Sequence, residues 1–276
     1  MRKGFLLAIM CMIFLMATIS SPLVISKEEN QSQFENIWFG FTDRTGLRIV
    51  AVENENINPN KLTKAICEEG KVLPVLFEGF KDADTEKNNG RQNAGNFDYC
   101  GGYYFSITSG KTFEDSWCVL TEEDFLKNYN AVKVKQANYS KISPELLKKI
   151  YEKQKMKVKE GWVLAGFGNS NKIGTVLFED KKNNSLLKCT VLVYNNRLYF
   201  SDFGEGVTLY AKDDYIDILG MSIPQCEEVF NIFTKGNSVF VLMQRYLDEG
   251  KNISLIQASG EKLKYIKGVS RYTYPE

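Results

Sequence analysis

The chain has no histidine in its 276 residues. That absence excludes Ser-His-Asp and Cys-His nucleophilic machinery, zinc sites built on imidazole, and the common pH switch. Any catalyst here must work with carboxylates, Lys, Tyr, Ser or a lone thiol. An excess of charge of one sign is also lacking, since 35 Lys and Arg stand against 34 Asp and Glu. Without a strong overall field to gather polyanions, nucleic acid is not expected as a partner, and membrane contact is expected only through the N-terminal segment. Cysteine is sparse. Setting Cys11 aside leaves Cys67, Cys100, Cys118, Cys189 and Cys226. That number is odd, so at least one thiol is free or pairs between chains. Cys100 and Cys118 flank a strand region and are the expected disulfide pair; buried thiols acting as small apolar groups are the alternative. A complete nucleotide loop is missing too. Ser109-Gly110-Lys111-Thr112 resembles the end of one, but Phe105 stands where its first glycine belongs. No cofactor is expected.

What is present begins with an export signal. Met1-Arg2-Lys3 is basic, Gly4 to Ile19 is apolar but for Thr18, and Ser20-Ser21-Pro22 follows. This is the charged, apolar and small-residue order of a signal peptide. The run to Ile25 also approaches the ~20 residues that span a bilayer, so an uncleaved anchor is the alternative. Either way the basic start places the body of the chain outside the cytoplasm. The reading is therefore an exported protein: secreted, periplasmic or held at the cell surface.

The rest has globular composition, 43% apolar and 25% charged. Ile37 to Thr42 and Leu47 to Val52 read as a hairpin about Asp43-Arg44-Thr45-Gly46. Asn58-Pro59 reads as a helix start, with Leu62, Ala65 and Ile66 on one face and Gly70 at the end. Lys81 to Asn96 is polar and without apolar period, a long loop. Val132 and Val134 alternate with Lys133 and Lys135 as on a half-exposed strand. Ser143-Pro144-Glu145 opens the clearest helix, apolar at Leu146, Leu147, Ile150 and Tyr151 and basic at Lys148, Lys149, Lys153 and Lys155. Beyond Gly161 the pattern is a meander of strands, interrupted by a helix predicted from Ser222 with Cys226, Val229, Phe230 and Phe233 as its apolar stripe. Val75-Leu76-Phe77-Glu78 and Tyr104-Phe105-Ser106 are echoed in order by Val176-Leu177-Phe178-Glu179 and Tyr199-Phe200-Ser201, as in a duplication.

The expected fold is therefore α+β, predominantly antiparallel sheet with a few peripheral helices, built as two similar β-rich units. Residues 1–26 form the signal peptide or anchor and 27–142 a β-rich unit with short helices. Residues 143–160 form a connecting amphipathic helix, and 161–276 a β-meander unit with one helix. Candidate sites are few. Asp202 and Glu205, at a glycine-rich strand end, are the candidate catalytic carboxylates of a glycosidase. Asp82, Asp84 and Glu86 alternate as calcium ligands do, although Lys87 and Asn93 occupy the positions where a calcium loop needs glycine and a carboxylate. With no catalytic constellation to hand, the expected function is non-catalytic binding of a protein or carbohydrate ligand. The alternatives are a carbohydrate-active hydrolase using paired carboxylates and an anchored envelope structural component.

Overall fold

The computed structural model describes residues 34, 37–51, 57–211, 214–216, 222–247 and 249–273. The signal or anchor expected over residues 1–26 lies outside them. Residues 36–276 form one compact unit. Of the described residues, 58% are strand. This corrects the α+β expectation: the fold is mostly β, with two α-helices among the described residues.

The first sheet is a closed antiparallel barrel. β1 (Trp38–Thr42) and β2 (Arg48–Ala51) make the predicted hairpin. Asp43 fixes its turn, accepting from the backbone N of Thr45, Leu47 and Arg48 and from Arg48 Nε at 3.0 Å. Burial pushes this carboxyl up, but the bonds from Thr45, Arg48 and the amides outweigh it and hold it below the usual range. β3 (Lys64–Cys67), β4 (Lys71–Lys81), β5 (Gly102–Ile107) and β6 (Trp117–Thr121) complete the circuit β1-β2-β5-β4-β3-β6, with β6 returning to β1. Trp38, Ile49, Ala65, Leu73, Phe105 and Leu120 pack together in its core.

Two sequence expectations are corrected inside this barrel. The helix read from Asn58 is one 3-10 turn, Pro59–Lys61, followed by β3. Asn58 does cap as predicted, accepting from Asn60 N at 3.1 Å, but the apolar run after it pairs with two strands instead of coiling. The disulfide joins Cys67 to Cys118, not Cys100 to Cys118. Cys67 and Cys118 stand directly opposite on β3 and β6, with Cα atoms 4.3 Å apart, where the two side chains can reach each other. Cys100 is free and buried, donating to the Arg91 and Asn96 carbonyls at 3.4 Å.

After α1 (Glu123–Asn128) come β7 (Asn130–Val132), β8 (Val134–Lys141) and α2 (Pro144–Gln154). The strands β9 (Val158–Phe167), β10 (Asn171–Asp180), β11 (Ser185–Tyr194) and β12 (Arg197–Phe200) follow. A branch of β13 (Gly204–Ala211), β14 (Asp214–Ile216) and β15 (Ser222–Ile223) leaves β11. The chain closes with β16 (Glu227–Lys235), β17 (Ser238–Leu247), β18 (Gly250–Ser259) and β19 (Lys262–Tyr272). All thirteen strands belong to one sheet. Its main path runs β8-β9-β10-β11-β12-β19-β18-β17-β16-β7. Because β7 and β8 are consecutive and separated only by Lys133, the sheet curls back to where it began. Val134, Leu164, Ile173, Leu192, Val229, Ile232, Val241 and Leu263, drawn from strands all round the circuit, form one buried cluster within it.

The helix predicted from Ser222 is β15, a turn and β16. The ladder between β16 and β17 slips between Val229 and Asn231, so Val229 and Phe230 are both buried on one strand. Such a bulge imitates the helical spacing of apolar residues. The helix predicted from Ser143 is α2: Ser143 Oγ accepts from Leu146 N, Pro144 opens it, and Lys155 closes it in the left-handed region. It lays Ile150 into a cluster with Ile142, just past β8, and with Val163, Val176 and Phe178 on β9 and β10. The echoed segments do not take equivalent places. Val75–Glu78 on β4 pairs directly with Tyr104–Ser106 on β5, whereas β10 and β12 are separated by β11. The last barrel strand ends at Thr121 and the first strand of the larger sheet begins at Asn130.

Barrel and larger sheet are joined by polar contacts around a buried cation. The Arg271 guanidinium of β19 lies 4.7 Å from the ring centres of both Phe41 and Trp117. Its Nη2 meets Asp115 Oδ2 at 3.2 Å, and Lys251 Nζ meets the same oxygen at 3.3 Å. Asn231 Nδ2 donates to the Cys67 carbonyl at 2.9 Å, and Lys267 Nζ donates to that of Ile37 at 2.8 Å. No helix among the described residues is long and apolar enough to cross a membrane.

Candidate functional site

The most unusual backbone in the larger sheet is in β8. Its ladder with β9 pairs Gln136 with Ala165 and then jumps to Ser140 with Val163. Three residues of β8 thus stand against one of β9, and two of them, Asn138 and Tyr139, have φ of 46° and 54°. A bulky residue at positive φ costs about 1–3 kcal/mol and persists where surrounding packing compels it. Here the Tyr139 side chain packs against the interior cluster and against that of Trp162, Leu177 and Tyr215. Bulges of this kind gather beside binding and catalytic sites, where they re-aim neighbouring side chains.

Beside the bulge is an open groove of about 760 Å³ between β8, the β9–β10 turn and the start of α2. Val163, Phe167, Ala137 and Leu146 give it an apolar floor, and Gln136, Ser140, Asn169, Ser170 and Asn171 supply amides and hydroxyls. Its charged lining is Lys133, Lys135, Lys141 and Lys172, with no carboxylate among the residues that line it. Lys141 is partly engaged, paired with Glu160 and lying 4.5 Å over the Trp162 ring. Lys133, Lys135 and Lys172 are exposed and make no ion pair with a described residue. Leu146 is shared with a second depression of about 390 Å³ on the other side of α2, which carries Lys149, Glu152 and Lys153. That depression is of mixed sign, since Glu152 lines it and Lys153 pairs with Glu261, and Lys149 is its one lysine without an ion pair among the described residues.

The other side of β8 has the opposite sign. Val134, Lys135 and Gln136 also line a cavity of about 440 Å³ holding Glu68, Glu69 and Glu228. Burial, assisted by the Glu228 charge and opposed by Ser116, raises the Glu68 carboxyl above its ordinary value. Glu228 Oε2 accepts from the Tyr246 hydroxyl at 3.0 Å and from Gln244 Nε2 at 3.2 Å. Deeper in the larger sheet, Lys188 Nζ meets Glu227 Oε1 at 2.7 Å, and Thr175 Oγ1 donates to the other carboxylate oxygen at 3.0 Å. Both oxygens of Glu227 are satisfied, so this pair reads as a structural element.

Neither a family model, nor a curated protein, nor a solved structure matches this chain.

The residues singled out from sequence fall elsewhere. Asp202 follows β12, exposed and paired with Lys262 at 3.0 Å. Glu205 is on β13, and its side chain lies outside the described residues. Asp84 spends its carboxylate on a turn, accepting from the Lys87 and Glu86 amides at 3.0 Å, and those bonds hold it below its ordinary value. Asp82 and Glu86 are exposed. No group of three or more Cys, Asp or Glu placed to hold a metal ion occurs among the described residues. The free thiols give little chemistry: burial pushes Cys100 and Cys189 each up to about 11, leaving scant thiolate at neutral pH. What the sequence reading missed is the convergence of lysines. The Lys133 and Lys135 alternation was visible, but only the pairing of β8 with β9 and of β9 with β10 brings Lys172 beside them.

Proposed function

We propose that this is an exported, non-catalytic binding protein that holds an anionic ligand in the groove beside the β8 bulge. The observation that carries the reading is the lining itself, four lysines and no carboxylate over an apolar floor. The basic and apolar N-terminus supports export, and so does the Cys67–Cys118 disulfide, since such bonds persist in oxidising compartments. An exposed lysine–anion contact contributes about 0.2–1 kcal/mol, so a ligand touching all four gains at most about 4 kcal/mol from charge. That alone corresponds to a dissociation constant of about 1 mM, and the floor and the amides must supply the rest.

Calorimetric titration with inositol hexakisphosphate tests the reading, with neutral inositol as control. The expected result is salt-dependent binding, weakened about tenfold in Lys133→Gln/Lys172→Gln and unchanged in Lys182→Gln, at the far end of the β10–β11 hairpin. Equal affinity for the charged and neutral probes overturns it. Intact-mass measurement on the exported protein checks the leader, a chain starting near Lys27 being expected and the full mass indicating a retained anchor.

One arrangement favours the hydrolase as a second reading. Glu68, raised toward the protonated form, and Glu228, held by Tyr246, face one cavity, as a general acid and a base must. Release of reducing ends from polysaccharide, abolished in Glu68→Gln and in Glu228→Gln, would establish it; no release from a broad polysaccharide panel removes it.

A further inference from the structure

We infer that the groove takes a linear acidic polysaccharide, an inference that rests on reading the groove as an anion site. Magnitude is the first argument. A small anion bridging two exposed lysines gains only about 1–2 kcal/mol from them. A chain that repeats its charge engages Lys133, Lys135 and Lys172 together and can continue past Leu146 to Lys149. Lys135 and Lys172 both stand opposite Gly166, from the two sides of β9, so two inter-strand spacings of about 4.8 Å separate their backbones, and with Lys133 two residues before Lys135 the lysines present a spaced row of charge rather than one focus.

The neutral lining is the second argument. The amide of Asn169 and the hydroxyls of Ser140 and Ser170 match a ligand rich in hydroxyls, while the half-buried Ala137 and Leu146 side chains suit the C–H faces of sugar rings. Other polyanions fit less well. Single-stranded nucleic acid draws affinity from bases stacked on exposed aromatic rings, and the one aromatic lining this groove, Phe167, is 4% exposed. A bilayer surface calls for cations flanking protruding apolar side chains. Here the apolar groups form the floor of a concavity walled by α2 and the 168–172 turn, which a flat membrane does not enter.

Fluorescence anisotropy with labelled polygalacturonate oligomers of increasing length tests the inference on the full mature chain. Heparin, dextran, a single-stranded DNA oligomer of matched charge and phosphatidylglycerol vesicles are run as competitors. The expected result is affinity that rises with oligomer length, is not competed by dextran, and falls about tenfold in Lys133→Gln/Lys172→Gln. The slope of log affinity against log salt should shallow by roughly one to two in that variant. Both lysines are exposed, and unchanged circular dichroism verifies the variant's fold. DNA or vesicles binding more tightly than either glycan overturns the polysaccharide while the anion groove stands. So does inositol hexakisphosphate binding with no binding of any acidic glycan. Equal competition by dextran overturns both.

Discussion

In the six-stranded barrel every strand has a paired neighbour on each side, and the seam between β3 and β6 is also covalently closed by Cys67–Cys118. In the larger sheet the circuit is completed less tightly. It crosses from β8 to β7 over Lys133, and from β12 to β19 through the parallel pairing of Phe200 with Lys262. The barrel leaves no unpaired strand edge and its β4–β5 ladder slips once, between Phe77 and Gly79, whereas in the larger sheet β7, β8 and β15 each pair on one side only and the β8–β9 ladder skips three residues. The groove lies at one of its irregularities, where the β8 ladder breaks and lysines from β8 and β10 come together. The contrast teaches that the closed ladder is stabilising and chemically quiet, while the interrupted ladder is where side chains are free to meet a ligand.

Removing the disulfide should show the largest effect. Replacing Cys67 and Cys118 with alanine opens a loop of 51 residues, which the chain-entropy relation puts at about 4 kcal/mol. Urea unfolding measures it; a loss below about 1 kcal/mol would mean that strand pairing alone holds the barrel shut. Next comes the junction. Arg271→Met removes the charge between Phe41 and Trp117 and leaves Asp115 with the Lys251 cation and the Ala94 amide, at an expected cost of about 3 kcal/mol. Loss of near-ultraviolet ellipticity from Trp117 ahead of global unfolding would show that barrel and sheet uncouple first; a single coincident transition would show one cooperative unit.

Glu68 gives a smaller and oppositely signed effect. Its folded carboxyl is raised above its unfolded value, so between the two the native state binds more protons, and stability falls as pH rises through the folded value. Glu68→Gln should therefore raise the thermal midpoint at neutral pH, with the gain vanishing below about pH 4. A lower midpoint at neutral pH would show that the Ser116 bond outweighs the burial. The smallest effect belongs to the groove. Lys133→Gln and Lys172→Gln should each shift stability by less than about 0.5 kcal/mol, as exposed substitutions do. A larger loss would make those lysines part of the fold and not of a site.

Much of the architecture was legible where local signals and tertiary pairing agree. The Asp43 turn and the Ser143 cap with Pro144 read correctly, because each is decided within a few residues, whereas the alternation at Val132 to Lys135, read as one strand, is two that part at Lys133 and pair with different neighbours. The failures share a cause. Asn58-Pro59 is a true cap followed by only one turn, since Ala65 and Ile66 gain more by pairing with β4 and β6. Placing Cys67 on that supposed helix hid it as the partner of Cys118. At Val229 and Phe230 the bulge produced helical spacing on a strand. The groove was illegible for the same reason: Lys172 and Lys133 become neighbours only through two ladders, and no residue around Asn138 signals where the first of them breaks.

The stretch from Asn130 to Lys141 has a consequence for the order of assembly. Its first residues pair with β16, Val132 opposite Ile232, and its last with β9, Lys141 opposite Trp162. A chain made N-terminus first delivers all six barrel strands by Thr121, and the barrel can shut at once. The same cannot hold for β7, which must wait until some hundred further residues have emerged, leaving its edge unpaired meanwhile. Synthesis thus carries a period of exposure that ends only when β16 arrives, and Lys133, just past the end of β7, sets a charge beside the waiting edge, the kind of residue that discourages pairing with other strands.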